Sequence, residues 1–192
     1  NNQFHASISR PVTLYYSDYD GNGSVDPIMN YFIGEKSYPS PTRDELVDQL
    51  PSFRKRFVDY ASYSNATIES ILTKEELSGS SMLSAYTLES SYIQNNGTSF
   101  SIKPLPFQAQ IAPVLALHSM DVNQDGIVDI VAAGNLLKMG ARFGNATGNF
   151  GLVLLGDGEG HFEAIPQTKS GLMLRGEVRN IVQDGKTLIF SV

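Results

Sequence analysis

The residues best equipped for chemistry lie in two nonapeptides, DYDGNGSVD at positions 18–26 and DVNQDGIVD at 121–129. Each carries acids at its first and ninth positions, oxygen-bearing side chains at the third and fifth, and glycine at the sixth. The side-chain donors are Asp18, Asp20, Asn22 and Asp26 in the first, and Asp121, Asn123, Asp125 and Asp129 in the second. The seventh residue, Ser24 or Ile127, is expected to offer its main-chain carbonyl. Alternation lets the odd positions converge while the even ones turn away. An all-oxygen set suits Ca²⁺, a hard cation that takes roughly six to eight oxygen ligands. Without a cation, three carboxylates in so small a volume repel one another, and one tends to stay protonated. These ten residues are therefore expected to hold two Ca²⁺ ions.

Two other readings compete. Asp, Asn and Gly are common in hairpin turns for local reasons, and one such loop fits either explanation. Repetition of the whole pattern favours the metal. An EF-hand shares the first positions but needs a bidentate Glu at the twelfth and flanking helices. The twelfth residue here is Met29 or Ala132, and the flanks are strand-like.

The chain around the loops has 192 residues, 41% hydrophobic and 18% charged, enough for a sizeable core. The net charge of −6 equals the six loop aspartates, and two bound dications would bring it to −2. With no basic stripe and a pI near 5.0, nucleic acid is not an expected partner. The absence of cysteine removes thiolate sites and disulfides. No apolar run approaches the roughly 20 residues of a membrane-spanning helix.

The elements that must position the loops are strands. PVTLYY leads into the first loop and PIMNYFIG leads out; PVLALHSM and IVDIVAAGN flank the second. Further strands are expected around the turns Asn95-Asn96-Gly97, GDGEG at 156–160 and Asp184-Gly185. Between about 42 and 80 the texture is helical, with capping-box spacing at Thr42/Glu45 and Thr73/Glu76 and helical spacing of Phe53, Phe57 and Tyr60. Two to four short helices are expected there. The loops begin 103 residues apart, at 18 and 121. Without the helical excursion that leaves roughly 60 residues, somewhat above the ~40–50 of one propeller blade.

The D-x-[DN]-x-[DN]-G-x-x-D loop between two strands resembles the FG-GAP/VCBS repeats of β-propellers, found in integrin α subunits and in secreted bacterial proteins. GLVLLGDGEGHF is similar to the downstream part of such a repeat, and SIKPLPFQAQIAPV with VAAGN to VCBS propellers of Bacteroidetes-type secreted proteins. The resemblance implies a mainly β fold over residues 1–192, a partial propeller of about three antiparallel blades, with a helical insertion at about 42–80. A closed propeller needs more chain. The open sheet edges then call for the rest of a propeller or a second chain. The implied role is a non-catalytic, calcium-binding module outside the cytoplasm, serving adhesion, scaffolding or the binding of a protein or carbohydrate ligand.

The alternative is a propeller scaffold of a polysaccharide-active hydrolase or lyase. It needs paired acids outside the loops, and Glu35, Glu45, Glu163 and Glu177 have no spacing that pairs them. Ser52-x-x-Lys55 lacks the partner motifs of penicillin-recognising enzymes. His5, His118 and His161 share no spacing, and Arg54-Lys55-Arg56 reads as solvated charge. Three sequons at Asn65, Asn96 and Asn145 mark expected surface loops. A third reading offers Phe53, Phe57 and Tyr60 to a partner; packing onto the sheets is the simpler expectation.

Overall fold

Val, Tyr, Ile and Phe dominate the flanks of the first acidic stretch, and branched and aromatic side chains suit a pleated, half-buried surface. Strands β1 (Val12–Ser17) and β2 (Asp26–Ile33) accordingly pair antiparallel with Ser17 opposite Asp26, so residues 18–25 close a hairpin. β3 (Lys36–Pro39) continues the meander. The structure, a computed structural model, describes residues 4–140 and 144–192. It is mainly β with antiparallel sheets, and its described residues fall into two compact units that meet in sequence at Leu88 and Glu89.

In the first unit, helices α1 (Arg43–Gln49), α2 (Tyr60–Tyr63), α3 (Ile68–Ile71) and α4 (Lys74–Ser78), with a 3₁₀ turn at Pro51–Lys55, follow β3. Both expected capping boxes form: Thr42 accepts from the Glu45 amide and Thr73 from the Glu76 amide. Strand β4 (Ser81–Ala85) then returns to pair with β1, giving the order β3-β2-β1-β4. The helices cover one face of this sheet. Ile28 of β2 is buried among Leu46, Leu50, Phe53, Phe57 and Ile71, and burying each such side chain contributes roughly 1.5–3 kcal/mol. The expected continuous spacing of Phe53, Phe57 and Tyr60 does not produce one helix. The Asp59 side chain caps a new start by accepting from the Ser62 amide, and Tyr60 is left 63% exposed. Two of the three aromatics are therefore core.

The second unit contains hairpin β5 (Ser91–Asn95)–β6 (Phe100–Pro104) and a sheet β7 (Val114–Met120), β8 (Asp129–Gly134), β9 (Leu152–Gly156) and β10 (Phe162–Ala164). A short helix α5 (Gln167–Ser170) precedes hairpin β11 (Asn180–Asp184)–β12 (Thr187–Ser191). The sheet is a simple meander of order β10-β9-β8-β7. Ala116, Val131 and Ala133 on one of its faces pack against Val178, Ile181, Leu188 and Phe190 of the last hairpin region.

The two sheets share a three-strand core. Adding 103 to the numbers of β1–β2 gives β7–β8, and the pair Ser17–Asp26 becomes Met120–Asp129. Asp26, Ile28 and Asn30 thus occupy the face that Asp129, Val131 and Ala133 occupy in the second unit. In one unit that face is covered by helices, in the other by a hairpin. Where about three blades were expected, the described residues form two four-stranded sheets and two two-stranded hairpins, and only the second of the four-stranded sheets is an uninterrupted meander.

Candidate metal centres

Each acidic loop is built by its own amides. Asp18 accepts from the amides of Asn22 and Gly23, at 3.0 and 2.8 Å. Asp121 accepts from those of Asp125 and Gly126, at 3.1 and 2.9 Å. The third residue, Asp20 or Asn123, accepts from the amide of the fifth. The fifth, Asn22 or Asp125, accepts from the amide of the seventh, Ser24 or Ile127. The ninth, Asp26 or Asp129, accepts from the amide of the second, Tyr19 or Val122. The amide bonds made by these side chains within the two loops thus correspond position by position.

The backbone agrees. The sixth residue is left-handed in both loops, with φ of 85° at Gly23 and at Gly126, a conformation that glycine adopts without steric cost. The fourth is left-handed too, at Gly21 and Gln124. Asp26 and Asp129 each begin the outgoing strand and are 4% and 0% exposed, while the other acids of both loops are exposed.

In the first loop, ligand oxygens of Asp18, Asp20 and Asp26 all lie within 4.8 Å of one another. The Gly23 amide, then those of Asn22 and Gly21, and the Asp20 side chain hold the Asp18 carboxyl below its ordinary pKa despite partial desolvation. It stays ionised where a cation would need it. The second loop does not draw three carboxylates so close. Its third acid sits at position five instead of three, and Asn123 donates to Asp125 across the loop. A carboxylate has about four acceptor sites, so accepting an amide leaves capacity for an ion. The donors fit a hard dication: Asp18, Asp20, Asn22, Asp26 and the Ser24 carbonyl would hold one, and Asp121, Asn123, Asp125, Asp129 and the Ile127 carbonyl another.

One contact was not legible in the sequence. Asp129 also accepts from the Gly156 amide, at 2.9 Å, which ties the second loop to the end of β9. A Cβ on Gly156 would lie 2.5 Å from the Val128 carbonyl, so only glycine permits this approach. Beyond it, the turn 157–161 is held by Asp157, which accepts from the amides of Glu159 and His161 and contacts the His161 ring at 2.9 Å. The His161 amide first, then the Glu159 amide and the His161 ring, bring the Asp157 carboxyl down to about 2. A depressed folded pKa contributes stability that is complete above the ordinary carboxylate value of ~4 and is lost as pH falls through the folded value. Carboxyl-detected NMR should therefore find Asp157 titrating near 2, with the turn loosening over the same range; a midpoint near 4 would contradict it.

Five of the other candidates have structural partners. His118 lies 3.0 Å from Gln183, Glu45 caps α1, Glu35 pairs with Arg10 and Glu177 accepts from Leu137 and Arg179. Arg56 pairs with Glu76. Asn65, Asn96 and Asn145 are exposed, as expected for surface loops. Among the described residues no helix is long and apolar enough to cross a membrane. Compared with known proteins, the chain matches no family model, no curated protein and no solved structure.

Proposed function

We propose that the chain is a calcium-stabilised β-propeller module of FG-GAP/VCBS type, belonging to an extracytoplasmic protein and serving ligand binding or scaffolding without catalysis of its own. The observation that carries this reading is the position-by-position correspondence of the bonds that main-chain amides donate to side chains within the two acidic loops, at the same place in two hairpins. Hairpin turns need no such agreement, whereas one ligand chemistry shared by two loops does. Calcium would offset two of the three carboxylate charges per loop and pin the turn between paired strands. Extracellular modules bind Ca²⁺ at roughly 10⁻⁴–10⁻³ M, which fits a calcium-rich exterior better than cytoplasm.

The outer sides of the two hairpins support neighbouring blades. Ile93 pairs with Ile102, and Val182 with Ile189, and all four are about half exposed. Further blades of the same protein, or a second chain, would cover them.

Terbium is a suitable probe, because Tyr19 lies inside the first loop and the chain has no tryptophan. Tyrosine-excited Tb³⁺ emission should appear, be displaced by Ca²⁺ at millimolar concentration, and fall sharply in Asp18→Ala. Emission that Ca²⁺ does not displace would count against the proposal.

A further inference from the structure

We propose that a groove on the four-stranded sheet of the second unit binds a neutral sugar ring of an oligosaccharide. The inference rests on the reading of the chain as a binding module; among the lining residues only Ile127, through its main-chain carbonyl, is also a proposed calcium ligand. The groove has a volume of about 470 Å³, within the usual range of roughly 300–1,000 Å³ for small-ligand sites. Its floor is Leu117 and Ser119 of β7 with Ile130 of β8. Ile127 and Val128 of the second acidic loop and the glycine-rich turn between β9 and β10 complete the lining. Tyr92 of β5 meets Phe162 of β10 edge to face, with ring centres 5.4 Å apart.

Chemistry narrows the occupant. No Asp, Glu, Lys or Arg lines the groove, although 18% of the chain is charged; its one titratable side chain, His161, already faces the Asp157 carboxylate, so a charged ligand would find no unpaired counter-charge. Three hydrogen-bonding atoms among the lining residues have no partner among the described residues: Tyr92 Oη, Ser119 Oγ and His161 Nε2. The other ring nitrogen of His161 is held by Asp157, which fixes the imidazole plane. A wholly apolar ligand would strip water from these three atoms and give nothing back. A wholly polar one would waste the aromatic pair and the exposed side chains of Leu117 and Val128. A pyranose ring meets both demands, with a C–H face for the aromatic rings and a rim of hydroxyls for the three polar atoms.

The test is a titration of the whole chain, followed by ¹H–¹⁵N NMR, with neutral tetrasaccharides of glucose, galactose and mannose and with a tetrasaccharide of galacturonic acid. Each titration is run in Ca²⁺ and again in EDTA. At least one neutral tetrasaccharide should bind at millimolar concentration or below in one of the two buffers. Tyr92→Phe and Ser119→Ala, which remove one hydroxyl each, should each weaken it about three- to tenfold. Tyr38→Phe, in the first unit, should change nothing. The proposal is overturned if no neutral tetrasaccharide binds in either buffer, if both groove variants bind as the parent does, or if the uronic acid binds more tightly than every neutral sugar. Sugar binding that persists while Ca²⁺ leaves thermal stability unchanged would strike only the calcium reading.

Discussion

Saturating Ca²⁺ should raise the thermal unfolding midpoint by about 10 °C or more, and EDTA should return it. A ligand that binds only the folded state at about a hundred times its dissociation constant stabilises by ~2.7 kcal/mol. A unit of roughly 60–100 residues gains about 4–8 °C per kcal/mol. One ion per unit therefore predicts a shift far outside measurement error, and Mg²⁺ should reproduce little of it, since that ion demands a tighter octahedral shell. Asp125→Ala should remove the share belonging to the second unit and leave that of the first. Superimposed melting curves with Ca²⁺ and with EDTA would remove the basis for the proposed role.

Asp129→Ala should be the most damaging of the loop substitutions even without calcium, costing about 2–4 kcal/mol. Its carboxylate is fully buried and accepts the amides of Val122 and Gly156, so truncation leaves two donors unpaired, one in the second loop and one at the end of β9. Asp26→Ala, which loses the bond from the Tyr19 amide, should cost roughly half as much. Asp129→Asn keeps an acceptor oxygen and should fall between. Hydrogen exchange at Gly156 distinguishes this from a general loss of stability, because that amide should lose protection in Asp129→Ala more than neighbours on β9. Equal loss along the whole strand would contradict the assigned link.

How far these features could be read from sequence depended on their range. The acidic loops were legible because every bond within them spans seven residues or fewer, and residue type at each offset dictates it. The hairpin at Asn96-Gly97 and the two capping boxes are local in the same sense. Phe53 to Tyr60 misled because helical spacing continued past the end of the 3₁₀ turn at Lys55 and across Asp59, whose side chain caps a new helix. Nothing in Ser81–Ala85 announced that it would return across the helical excursion to β1, since periodicity fixes a strand's faces and not its partner. The Asp129–Gly156 contact and the meeting of Tyr92 with Phe162 are likewise products of tertiary pairing. In the sequence those residues read only as strand and turn.

The most direct measurement is a crystal structure from a calcium-rich solution, with anomalous scattering used to locate ions. One peak is expected in each loop, surrounded by roughly six to eight oxygens at about 2.3–2.6 Å, with Asp18, Asp20, Asn22, Ser24 and Asp26 around the first and Asp121, Asn123, Asp125, Ile127 and Asp129 around the second. Both loops free of anomalous density, their acids bonded solely to loop amides, would contradict it.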